Sequence, residues 1–239
     1  MSIPKCVLLP AGVLLAFSGA ASAWTPVELD ELTANAESEV AVRAPHLRGE
    51  GFTCPGGAPP TVLYATDFEL GSAGWAVGGA GDWERGQVVP EVYSLCDTVP
   101  SPEPASAFSG VNVFATNLDG CYANQNPSAA STLEQTFDFS SVSQPIALEW
   151  MHWYHIFETF DRGEVFVNGV QVFRTPDANP TPDYVVQVAD LSAFAFAPSV
   201  TIQFSLFSTT VVNRMGWYLD DIRILTCGPA IFADGFEDP

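Results

Sequence analysis

The stretch GEVFVNGVQVFR (residues 163–174) decides the fold class. Two alternating runs flank Asn168-Gly169. Alternation with a period of two is the mark of a half-buried strand. A two-residue Asn-Gly link between such runs closes a tight hairpin, because both turn residues need positive φ.

Outward from this hairpin the same vocabulary repeats. TVLYATDFEL (61–70), VNVFATN (111–117), STLEQTFDFS (131–140), PIALEWMHWYHIF (145–157), YVVQVADL (184–191), SVTIQFSLF (199–207) and GWYLDDIRIL (216–225) all read as strands with turn signals between them. Leu133, Phe137 and Phe139 share one face; Val200, Ile202, Phe204 and Leu206 share another. Strong helical periods are absent. Many strands without helices imply a two-sheet sandwich, and about 170 residues suffice for one core.

The chain divides into four parts. Residues 1–23 pair one lysine with a short apolar run and small residues ending Ala21-Ser22-Ala23, the pattern of a secretory signal peptide. The run is too short to span about 30 Å of hydrocarbon, so the expected location is secreted, extracellular or periplasmic, with no membrane span. Residues 24–57 read as a polar, Gly/Pro-rich linker, residues 58–228 as the β domain and residues 229–239 as a short C-terminal tail.

The formal net charge is −20, and Lys5 is the only lysine. Such a chain repels phosphate backbones, which excludes nucleic acid as a partner. Beyond the leader the cysteines are Cys54, Cys96, Cys121 and Cys227. Four allow three pairings. Cys54–Cys227 and Cys96–Cys121 are preferred: the first pair brackets the strands and would close a domain whose ends meet, and the second lies in a loop-rich region.

In GWYLDDIRIL, Asp220 and Asp221 interrupt a strand. Adjacent strand residues face opposite sides, so one carboxylate points inward unless a bulge re-aims it. The surrounding motifs occur in a specific order. DFE (67–69), GW (74–75), GDWERG (81–86), FSGVNVFATNLDGCY (108–122), DRGEVFVNG (161–169) and finally GWYLDDIRIL together resemble MAM and MAM-like jelly-roll domains, over roughly residues 54–228. The resemblance implies an all-β jelly-roll sandwich of two antiparallel sheets. It also implies a structural Ca²⁺ held by Asp67 or Glu69, Asp82 and one of Asp220 and Asp221, with Asn117 and Asp119 as weaker candidates. Arg223 is the competing partner for an aspartate. Cys54 lies upstream of DFE, unlike the animal domains, and residues 87–108 form an insertion particular to this chain.

No catalytic residue is assigned. Glu158, Asp161 and Glu164 are spaced across a turn and need not converge as a glycosidase pair must. His46, His152 and His155 make a poor zinc set. Trp150 shares parity with Leu148 and is expected in the core; Trp153 and Tyr154 are the candidate ligand-binding aromatics. The reading is a secreted, calcium-stabilised, non-catalytic binding module for a glycan or a cell-surface protein. A protein adhesion module and a glycan-cleaving enzyme are its alternatives.

Overall fold

The hairpin forms as its turn residues require. Strand β9 (Arg162–Val167) and strand β10 (Val170–Arg174) pair antiparallel with Val170 opposite Val167, and Asn168 and Gly169 take φ of 48° and 79°. The computed structural model describes residues 51–88, 92–93, 96, 101–102, 104–124, 130–157, 159–176 and 183–227. Residues 1–50, including His46, Glu158 and residues 228–239 lie outside the described residues.

The remaining strands are β1 (Thr61–Thr66), β2 (Ala76–Gly79), β3 (Trp83–Gln87), β4 (Val92–Tyr93), β5 (Ser101–Pro102), β6 (Asn112–Thr116), β7 (Ser131–Phe137), β8 (Ile146–His155), β11 (Val185–Asp190), β12 (Val200–Phe207) and β13 (Gly216–Thr226). They build a jelly-roll sandwich. One sheet, here the first, runs β11-β8-β13-β6-β3, with β1 also on β13; the second runs β10-β9-β12-β7-β2. The short β4 and β5 pair only with each other. All pairings are antiparallel.

The inward residues of both sheets form the core. Trp150, Trp217, Leu133, Ile202, Phe204, Leu206, Val165 and Val167 are all buried, as the alternation requires. Phe204 lies against Trp75, Trp150 and Trp217 at ring separations of 5.5–5.7 Å. Gly163 is fixed by this packing: a Cβ there would meet the Trp217 ring at 2.6 Å.

Strand β13 is the centre of the first sheet, and it changes partner midway. Tyr218 and Leu219 pair with Ala115 and Phe114 of β6, whereas Ile222 to Thr226 pair with β1. At the change, the register against β8 moves from Asp220↔Met151 to Arg223↔Glu149. Asp221 and Ile222 of β13 thus oppose the single Trp150 of β8, which is a bulge. Asp221 takes φ of 45° there.

Both expected disulfides are present, with Cα separations of 5.5 Å for Cys54–Cys227 and 5.6 Å for Cys96–Cys121. The first joins residues 173 apart in sequence and restricts the unfolded chain strongly. Replacing Cys54 and Cys227 together by alanine should lower stability by roughly 3–5 kcal/mol, measured by denaturant melts. The shorter Cys96–Cys121 loop should cost less when cut.

Candidate functional site

The two aspartates have separate tasks. Asp220 is fully buried. Its Oδ2 accepts from the Ser109 backbone N–H at 2.9 Å, and its Oδ1 accepts from the Asp221 N–H at 2.8 Å. Asp221 Oδ1 accepts from the Ser109 hydroxyl at 2.7 Å. The bulge therefore clamps the FSG segment that leads into β6. Burial, and to a lesser extent the Asp221 charge, pushes the Asp220 carboxyl up to about 7, against the pull of the backbone donors. Burial also raises Asp221, and the nearby Asp67 and Glu149 charges add to this.

DFE is a turn beyond β1 rather than part of the strand. Phe68 has φ of 60° and a buried ring packed edge-on against Phe114. A bulky residue at positive φ is strained. Here the Phe68 and Glu69 N–H groups donate to Thr66 Oγ1 and Asp67 Oδ1, and Arg85 donates to both carbonyls, at 2.6 and 3.0 Å. Glu69 reaches the clamped segment from the other side. Its Oε1 accepts from the Val111 and Asn112 N–H groups, and Oε2 from the Asn112 side chain. These donors hold the Glu69 carboxyl below its ordinary range.

The expected calcium ligands do not all assemble. Asp82 belongs elsewhere, at the far end of the β3–β6 pair, where its partners are Ser131 and Ala123. Asn117 and Asp119 make a local turn, with Asn117 Nδ2 donating to the Cys121 carbonyl. Asp220 spends its oxygens on backbone N–H groups, and Glu69 spends its own on two backbone N–H groups and the Asn112 side chain. Among the described residues, no group of three or more His, Cys, Asp or Glu is gathered to hold a metal ion. Arg223 pairs with the buried Glu149 of β8, which also accepts from the Phe52 N–H at 2.6 Å.

The expected aromatic platform requires correction. Trp153 does lie on the outer face of the first sheet, but it is only 3% exposed. It packs edge-on against Tyr218, 5.3 Å away, in a cluster with Met151, Tyr184, Met215, Cys96 and Ala107. The Cys96–Cys121 bond joins this cluster to the loop after β6. Tyr154 points the other way, into the inter-sheet core beside His152. Neither ring can stack on a ligand.

The acidic turn is structural as well. Asp161 is buried and accepts from Tyr122 Oη at 2.5 Å and from the Thr209 N–H and hydroxyl. Glu164 pairs with Arg162 at 3.0 Å. His152 and His155 face opposite sides of β8, both buried.

The outer face of the second sheet is half-buried among the described residues, with Glu164 and Ser205 buried in it. Arg162, Glu164 and Phe166 of β9 point outward beside Thr201, Gln203, Ser205 and Phe207 of β12, then Thr132, Glu134 and Thr136 of β7. A groove of about 230 Å³ is lined by Phe166, Gly169, Thr201 and Gln203. The sequence signal for this site was present in the alternation that sets Phe166 opposite in direction to Val165 and Val167.

No family model matches the chain. Bacillopeptidase F of Bacillus subtilis (strain 168) is 31% identical over 167 residues, which is 68% of this chain and 10% of that protein. The chain thus spans about a tenth of the length of this relative. Among solved structures, TmCBM61 in complex with β-1,4-galactotriose aligns with a TM-score of 0.42 and 14% identity over 67% of this chain and 94% of its own. The K3 cleaved adhesin domain of Lys-gingipain from Porphyromonas gingivalis W83 aligns with a TM-score of 0.42 and 15% identity over 70% and 100%.

Buried groups give the fold a testable pH response. Burial pushes His152 down to about 3, and Trp217 Nε1 donates to its Nδ1 at 3.2 Å, which needs the neutral ring. His155 is lowered to about 4 by burial and then by the Arg214 charge. The unfolded chain binds these protons first, so both histidines withdraw stability as pH falls below about 6.5. Asp220 acts oppositely: the folded chain holds its proton between about 4 and 7, so acid stabilises through it. Asp220→Asn should therefore steepen the acid loss by about 1.4 kcal/mol per pH unit between pH 6 and 4.5. His152→Asn should make it shallower. Urea melts at several pH values within that window measure both slopes.

Proposed function

We propose that the chain is an exported, non-catalytic binding module of MAM-like jelly-roll type that takes a glycan on the outer face of its second sheet. One observation carries this reading: Cys96, Ala107 and Phe108 of the cross-linked segment pack on the outer face of the first sheet, whereas the second presents a groove lined by Phe166, Gly169, Thr201 and Gln203. Aromatic floors with a few placed polar groups suit sugar rings, which offer apolar C–H faces and hydroxyl edges. The motif order supports the MAM-like label, and the two disulfides support export to an oxidising compartment. Asp161 and Glu164 are occupied structurally, which supports binding without cleavage. Incubated with insoluble polysaccharide, the protein should deplete from the supernatant without releasing reducing ends; release of reducing ends would establish the enzyme reading instead.

A second reading has its own observation. At one end of the sandwich Phe157 and Phe160 stack at 5.2 Å, with the Arg214 guanidinium over Phe157. Phe160 is 56% exposed and Val211 74%. A cell-surface protein partner would use these loops, and its capture would be lost in Phe160→Ala and unaffected by changes at Phe166.

The calcium component narrows to Asp67 and Asp221, whose charges repel across the fork between β1 and β6. Carbonyls and water would complete the six to eight oxygens that Ca²⁺ takes. Calcium at about a hundred times its dissociation constant should add roughly 2.7 kcal/mol to the fold. Asp221→Asn should abolish that shift in thermal melts, and Asp220→Asn should leave most of it. Identical melts in calcium and in EDTA would remove the ion.

A further inference from the structure

We propose that the ligand of the second sheet is an uncharged polyhydroxyl chain laid across the strands, with Phe166 as its stacking floor and the Gln203–Glu134 pair reading neighbouring hydroxyls. This rests on the glycan reading above and names its substrate class. Four side chains stand in one row, each opposite the next on adjacent strands: Gln171 of β10, Phe166 of β9, Gln203 of β12 and Glu134 of β7. Neighbouring strands lie about 4.8 Å apart, so the row extends roughly 14 Å perpendicular to the strands. That direction is the one along which an extended oligosaccharide meets the ring and then the polar pair.

The pair has suitable chemistry. Gln203 Nε2 donates to Glu134 Oε2 at 2.7 Å, which fixes both side chains. Beyond that bond they carry a second amide N–H, the amide oxygen and the other carboxylate oxygen. Two vicinal hydroxyls, each both donor and acceptor, match such a donor and acceptor set. The groove beside it opens above Gly169, where an added Cβ would meet nothing within 4 Å.

Charge selects the class. The whole chain is at −20, yet on this face Arg162 and Arg174 balance Glu134 and Glu164. Arg162 is tied to Glu164 and lies 3.8 Å over the Phe207 ring, and Arg174 stands opposite Glu164. An anionic polysaccharide therefore meets balanced charge locally and repulsion from the rest of the molecule. A neutral chain meets neither obstacle.

The test titrates the full chain with neutral polysaccharides (a β-glucan, a galactan, a mannan) and anionic ones (polygalacturonate, hyaluronan) by calorimetry. At least one neutral polymer should bind, with affinity changing less than about twofold between low and high salt, because no ion pairs are screened. Phe166→Ala and Gln203→Ala should each weaken it about tenfold or more, a loss of about 1.4 kcal/mol, and Phe166→Tyr should retain it. Thr201→Arg, which fills the groove, is the second variant; unchanged thermal melts show that each variant folds. Salt-sensitive binding of anionic polymers alone overturns this inference and leaves the glycan reading standing. Neutral binding indifferent to Phe166→Ala and Thr201→Arg overturns the placement on this face. Failure of every polymer to bind overturns the glycan reading and this inference with it.

Discussion

The hydrogen bond from the Ser109 backbone to the buried Asp220 carboxylate is the interaction on which the first sheet depends. Strand β13 must serve two neighbours, β6 above and β1 below, and a single sheet position cannot hold both. The bulge opens the fork. A hydrophobic residue at 220 would leave the N–H groups at its mouth without acceptors, and each unmet buried donor costs about 1–3 kcal/mol. A carboxylate accepts several at once. The strained Phe68 turn is braced on the opposite side by the same logic, through Glu69 and Arg85.

Much of this was legible in the sequence, and the boundary is physical. Alternation and the Asn-Gly turn are local signals, so the strands, the hairpin and the facing of Val200, Ile202, Phe204 and Leu206 could be read directly. The broken alternation at LDDI announced the bulge. Its partner could not be read, because Ser109 lies 111 residues away in sequence from Asp220. Trp153 shows the same limit. Its parity places it on the outer face of β8, but nothing local tells that Cys96 and Ala107, distant in sequence, pack on that face. Asp82 was grouped with Asp220 by motif order, although the β3–β6 register separates them.

The asymmetry of the two faces orders the functional argument. A sandwich offers two outer surfaces, and this chain spends one on a second small hydrophobic cluster. Of the two aromatic residues that looked most suited to a ligand, Trp153 went into that cluster and Tyr154 into the inter-sheet core. The surface left over is quieter in sequence, a phenylalanine between valines and a glutamine in a strand. Its significance comes from which residues the register sets side by side.

The Cys54–Cys227 bond has a mechanical consequence. The chain enters and leaves the sandwich at two Cα atoms 5.5 Å apart, joined covalently. Tension applied to the segments before residue 54 and after residue 227 runs through that bond and bypasses every strand between. The sheets cannot be peeled apart by pulling one flank against the other. Load passing between the flanks is carried at that single covalent link rather than shared among the strands.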